Sequence, residues 1–171
     1  HPHNIVRLIL GLQHATDTPE DNRYTRSRDC FHDWLAQGVL APDPRPAIYL
    51  TAQDFETSEG PLTRFGLMAR VRLEPFDKGI IRPHEATFAS VKIDRLRLMQ
   101  ACHANFSPIF ALCADSQGAM AALEAAAATH LPLADFCDPA GERHRLWAFE
   151  DPRRQRELAA AMVPETVYIA D

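Results

Sequence analysis

Two strand-length runs flanking Glu59-Gly60-Pro61 constrain this chain more than any other stretch of it. From Thr63 to Leu73, Phe65, Leu67, Ala69, Val71 and Leu73 fall on one face, with Arg64, Arg70 and Arg72 on the other. A period of two is the repeat of a half-buried strand. Ala47 to Phe55 reads as a strand ahead of it, and the intervening Gly-Pro turn makes the two an antiparallel hairpin.

Around this hairpin, strand and helix signals alternate irregularly. Ile5 to Leu10 is a short apolar run with β-branched residues, read as a strand. Thr18-Pro19 is a cap followed by a first-turn proline, opening a helix that carries Tyr24, Phe31, Trp34 and Leu35 and stops at Gly38. Pro75 to Ala89 is an ordered loop with an extended piece at Ile80-Ile81. Ser90 caps a helix to about Ala104, with Leu96, Met99, His103 and Phe106 as its apolar stripe. Pro108 to Cys113 is a strand and Ser116 to Thr129 an alanine-rich helix. Leu133–Cys137 and His144–Phe149 form a second hairpin around Pro139-Ala140-Gly141-Glu142. Asp151-Pro152 repeats the cap-plus-proline signal for a helix to about Met162, and Thr166 to Ala170 is a last strand. The pattern predicts an α+β fold with a mixed, largely antiparallel sheet and helices packed on it. Trp34 and Trp147 follow core periodicity, and His103 reads as a hydrogen-bonded core histidine. With no methionine at His1 and a strand ending beside Asp171, the 171 residues read as a single domain, or a fragment of a larger one truncated at both ends.

Composition narrows the function classes. Apolar residues make up 46% and charged residues 24%, the proportions of a globular protein. A net charge of −5 argues against a general nucleic-acid or anionic-membrane surface. No stretch is apolar for long enough to span a membrane and no signal peptide opens the chain, so the expected location is the cytoplasm. Cys30, Cys102, Cys113 and Cys137 form no C-x-x-C pair and are expected to be buried, reduced thiols.

Neither G-x-x-x-x-G-K-[ST], G-x-G-x-x-G nor G-x-S-x-G occurs, and His84-Glu85-Ala86-Thr87-Phe88 lacks the second histidine of a zincin. The segment from Asp77 to Arg97 stands apart. Lys78, Arg82, Lys92, Arg95 and Arg97 face only Asp77, Glu85 and Asp94, and it holds both lysines of an arginine-preferring chain. Lys92 and Arg95 near a helix start suit phosphate, because free backbone N–H groups there also attract anions. His84 and Glu85 just before it suit proton transfer or metal coordination. The same residues equally suit a solvated surface on which Asp94 neutralises Lys92 or Arg95. Asn105 and Ser107 either turn the chain at the helix end or face the same pocket.

The series His3-Asn4-Ile5-Val6-Arg7-Leu8, Ala47-Ile48-Tyr49-Leu50, Gly66-Leu67-Met68-Ala69-Arg70-Val71, Pro83-His84-Glu85-Ala86-Thr87, Lys92-Ile93-Asp94-Arg95 and Ala104-Asn105-Phe106-Ser107-Pro108-Ile109-Phe110 resembles an uncharacterised bacterial and archaeal family, domain of unknown function 1015. Members are longer, and they typically continue Tyr168-Ile169-Ala170-Asp171 into G-H-H-R. That element looks like the phosphate-binding corner of the ParB and sulfiredoxin superfamily. A relative with a similar element, the archaeal free serine kinase, transfers phosphate from ADP to free serine. The resemblance implies nucleotide binding (ADP or ATP) and phosphoryl transfer to a small hydroxylated metabolite. In that reading Lys92 and Arg95 neutralise phosphates, with Thr87, Asn105 and Ser107 as further polar contacts. Glu85 is the base or a magnesium ligand, oriented by His84, and Asp171 holds magnesium or orients the missing corner. Ala86 and His103 stand where more polar or basic residues are expected. The rival readings are a non-catalytic nucleotide- or metabolite-binding regulator and a structural domain. The superfamily link also raises a DNA partner, against which the acidic charge argues. The oligomeric state is left open.

Overall fold

The structure, a computed structural model, describes residues 1–85 and 89–170. The fold is α+β, with five helices and two sheets among the described residues. The chain divides into two compact units, one of His1–Pro42 with His84–Ile109 and one of Asp43–Pro83 with the remainder from Phe110.

The first unit is helical: α1 (Val6–Ile9), α2 (Arg23–Ala36) and α3 (Ala89–Cys102). The strand expected at Ile5–Leu10 is instead the short helix α1. Asn4 Oδ1 accepts from the Val6 N–H at 3.0 Å, and the Leu10 N–H reaches the Val6 carbonyl at 2.8 Å. Local capping wins because the helical unit holds no strand, among the described residues, to offer this run a ladder. Helix α2 starts four residues later than Thr18-Pro19 suggests. Thr18 Oγ1 accepts from the Glu20 and Asp21 N–H groups, closing a turn, and Asn22 is the cap. Asn22 and Thr25 form a reciprocal capping box, each side chain accepting from the other's backbone N–H. Arg26 ties the preceding loop down by donating to Asp17, Asp21 and the Leu12 carbonyl, each at 2.8 Å. Gly38, at φ 70°, ends the segment as expected.

Helix α3 begins at Ala89, so Ser90 lies inside its first turn rather than ahead of it. Its buried side is Leu98 and Cys102, whereas Leu96 and Met99 are exposed. His103 is a correction too: it is exposed, at φ 50°, one step beyond the helix. The inward stripe passes through Leu98 and Cys102, one position out of phase with Met99 and His103. Phe106 does pack inward, edge to face on Phe31 with ring centroids 5.1 Å apart.

The second unit holds both sheets. Strands β1 (Ile48–Thr57) and β2 (Gly60–Met68) form the expected hairpin around Ser58-Glu59, with Thr57 opposite Gly60. A 3₁₀ turn (Phe76–Lys78) precedes β3 (Ile81–Arg82); β4 is Ala111–Leu112 and α4 is Ala119–Ala127. The second hairpin, β5 (Ala134–Cys137) with β6 (Arg143–Phe149), also forms as expected, and Asp151 caps α5 (Pro152–Met162) by accepting from the Arg153 N–H. Strand β7 is Val167–Ile169. The larger sheet is antiparallel in the order β2-β1-β6-β5; the smaller is mixed, β3-β7-β4, with β3 parallel and β4 antiparallel to β7. Strand β2 stops at Met68, short of the expected Leu73, and Val71 and Leu73 are exposed. Continuing the ladder would place residues 69–73 beside Pro46 and Pro44, and a proline has no N–H to offer.

Register places Leu67, Leu50 and Trp147 in one row across the larger sheet. This face packs with Ala119, Leu123, Ala127 and Leu158 of the helices to make the core. Both tryptophans are buried as expected, and Trp147 Nε1 donates to the His130 carbonyl at 3.1 Å. All four cysteines are free. Cys102 is buried and Cys30 partly so, but Cys113 and Cys137 are exposed, at a loop and at the end of an outer strand. No helix among the described residues is long and apolar enough to cross a membrane.

Candidate functional site

The residues singled out around the start of α3 belong to the helical unit, except Asp171. Thr87 and Asp171 lie outside the described residues. His84 and Glu85 are both exposed, with Nε2 3.7 Å from Oε1, within ion-pair reach but too long for a hydrogen bond. Lys92 is exposed in the first turn of α3. Arg95, one turn nearer the middle of the helix, is half-buried and donates from Nη1 to the Ile9 carbonyl at 3.3 Å, covering the end of α1. Asn105 Oδ1 accepts from the Ser107 N–H at 3.4 Å, a local turn contact. Two pairs thus come together, His84 with Glu85 and Asn105 with Ser107. Among the described residues no hydrogen bond or ion pair joins Lys92 or Arg95 to either.

Asp94 lies between Lys92 and Arg95 in the chain. Its carboxylate is taken by neither Lys92 nor Arg95. Oδ1 accepts from the Arg23 guanidinium and from the Tyr24 hydroxyl, the latter at 2.7 Å, both on α2. The pair bridges α2 and α3 and leaves Lys92 with no ion partner among the described residues. The Tyr24 hydroxyl and the adjacent Asp94 charge hold the Arg23 guanidinium in its charged form, with its pKa above the usual value. Arg23 also lies over the Tyr24 ring, 4.9 Å from its centroid.

Arg23, Tyr24 and Asp94 also line a recess whose apolar wall is Leu8, Ile9 and Leu98. It is a shallow recess with room for about one water molecule, too small for a small-molecule ligand. Gly11 closes one side. A Cβ there would lie 3.0 Å from Ser27 Oγ and 3.1 Å from the Arg23 carbonyl, so a side chain would require these neighbours to give by a few tenths of an ångström. Arg23 and Tyr24 carry no mark in the sequence that joins them to Asp94, some seventy positions away. A helix-face reading of α2 alone shows only two polar residues near a cap.

A family model described as "Protein of unknown function (DUF1015)" matches residues 1–171. No curated protein and no solved structure matches the chain.

Proposed function

The chain belongs to the DUF1015 family, and from that footing we propose that it binds the phosphates of a nucleotide such as ADP or ATP at the start of α3 and passes one to a small hydroxylated metabolite. The observation carrying this reading is the capture of Asp94 by Arg23 and Tyr24, which leaves the Lys92 ammonium without an ion partner among the described residues, near the positive end of the α3 dipole. Phosphoryl transfer depends chiefly on positioning and charge compensation, which is what a lysine at such a place supplies. Arg95, one turn further along α3, adds a second positive charge beside Lys92.

In the transfer itself, the acceptor hydroxyl oxygen attacks the terminal phosphorus. The bond from that phosphorus to the bridging oxygen breaks, and the shortened nucleotide leaves with the electron pair. Glu85 takes the hydroxyl proton, and His84 orients the carboxylate. Glu85 is also a hard oxygen donor of the kind magnesium accepts beside phosphate oxygens. Magnesium bound there would neutralise phosphate charge.

Isothermal titration with ADP and with ATP, with and without magnesium, tests the reading. Binding is expected, and Lys92→Ala should weaken it about tenfold, the loss of one charge-assisted contact. No heat at millimolar nucleotide overturns it. The exposure of His84 and Glu85 favours one alternative, a regulator that binds nucleotide without turnover. Glu85→Gln separates the two: it abolishes transfer if Glu85 is the base, whereas a regulator shows no transfer even before the change.

A further inference from the structure

The hairpin joining β5 to β6 carries three side chains whose potential ligand atoms lie within 4.8 Å of one another: Asp138, Glu142 and His144. We propose that this hairpin, in the second unit, binds a borderline divalent cation of the Zn²⁺ class. Ligands about 2.1 Å from zinc in tetrahedral geometry lie roughly 3.4 Å apart, so the three groups need to close by up to about 1.4 Å, within the reach of side-chain rotation.

Each donor is held by a neighbour that leaves a metal-binding atom to spare. Asp138 Oδ1 is occupied by the Ala140 and Glu142 N–H groups at 2.9 and 3.0 Å, which fixes the turn and points Oδ2 to within 3.1 Å of His144 Nε2. Glu142 Oε2 accepts from the Gln53 amide on β1, whose own oxygen accepts from Arg64 on β2. The second Glu142 oxygen has no hydrogen-bond partner among the described residues. The His144 ring stacks flat on Phe136, with centroids 5.2 Å apart and planes 16° apart, so its rotamer is set before any ion arrives. Outer contacts of this kind orient ligands in metal sites.

One imidazole with two carboxylates selects zinc-like ions over magnesium or calcium, which take oxygen alone. All three groups are half-buried, so an ion would keep open positions for water. It would also brace the hairpin turn against β1 through Gln53.

The test is Zn²⁺ titration of the protein, read by calorimetry and by the ring-nitrogen NMR signals of His144. One equivalent is expected to displace the His144 signals. His144→Phe keeps the stack on Phe136, and Glu142→Gln keeps the side-chain shape. Each should weaken binding at least tenfold with unchanged metal-free melting. Zn²⁺ that leaves His144 unmoved, or that binds both variants as tightly as the parent, overturns the proposal. So does Zn²⁺ that shifts only the cysteine signals.

Discussion

Arg145 on β6 holds Asp54 on β1 through a single nitrogen, Nη2, which lies 2.6 Å from one carboxylate oxygen and 2.8 Å from the other. The two are diagonal neighbours, since Arg145 sits opposite Ala52. Beside them Arg143 grips Asp135 with two nitrogens, at 2.8 and 2.7 Å. The inner face of the larger sheet therefore passes from an apolar end at Leu50 and Trp147 to a charged end built from two arginines and two aspartates. Arg145 Nε is buried there without a hydrogen-bond partner, and the guanidinium lies 5.7 Å from the centre of the Trp147 ring.

Removing the acceptor from this pair should cost more than a surface ion pair is worth. Asp54→Ala strands Arg145 Nη2 and the Thr63 hydroxyl, which donates to the same carboxylate at 2.7 Å. About 1–2 kcal/mol of stability should be lost, intermediate between exposed and buried pairs because both side chains are partly exposed. Urea unfolding followed by tryptophan fluorescence measures it, and a change within error of zero would refute the assignment.

These carboxylates also set an acid limit. The hydrogen bond from Thr63, with the Arg145 charge beside it, holds Asp54 below the ordinary carboxylate range, and the bond from Arg143 does the same for Asp135. A depressed folded value means stability that is fully present above the ordinary range and is lost as pH falls through the lowered values. Melting temperature should therefore fall as the pH is taken below the ordinary aspartate value of about 4. In a protein carrying both Asp54→Asn and Asp135→Asn that drop should be shallower. An unchanged slope would assign the acid sensitivity to other groups.

The core of the second unit should be sensitive to volume. Leu50 is fully buried between β2 and β6, facing α4 and α5. Leu50→Ala is expected to cost about 3 kcal/mol, the transfer energy of the lost methyl groups plus a cavity. Thermal or urea unfolding checks it, and a loss under about 1 kcal/mol would mean that the site collapses around the smaller residue.

In the helical unit the capping box at α2 is the exposed feature most open to test. Asn22→Ala removes the acceptor for the Tyr24 and Thr25 N–H groups, and with it the side chain's bonds to the Thr18 and Pro19 carbonyls. A loss of about 1 kcal/mol is expected. Thr18→Ala should matter less, because its hydroxyl serves a turn outside the helix. The reverse order would restore Thr18 as the true start of the helix.

Which features were legible in the sequence follows from how local their causes are. Both hairpins and the Asp151-Pro152 helix start could be read because a few adjacent residues decide them. Ile5–Leu10 could not, since a short apolar run becomes a strand only where a partner exists. The inward face of α3 was hidden for a related reason. Two polar residues on α2, Arg23 and Tyr24, turn Asp94 toward themselves, and Leu98 and Cys102 follow it inward. The charge asymmetry of the Asp77–Arg97 segment was visible from composition, but the partner of its central acid was not. The Asp138–Glu142–His144 cluster joins a turn to a strand end, so register, and not motif spacing, brings it together.

The pairing of Ile81 with Val167 joins positions separated by half the chain. Closing so long a loop is slow, whereas the hairpin at Ser58-Glu59 closes over two residues. In a refolding experiment the four-stranded sheet should gain hydrogen-exchange protection early and the Ile81–Val167 pair last. The small sheet then acts as a latch, and a truncation that removes its last strand would leave the larger one standing.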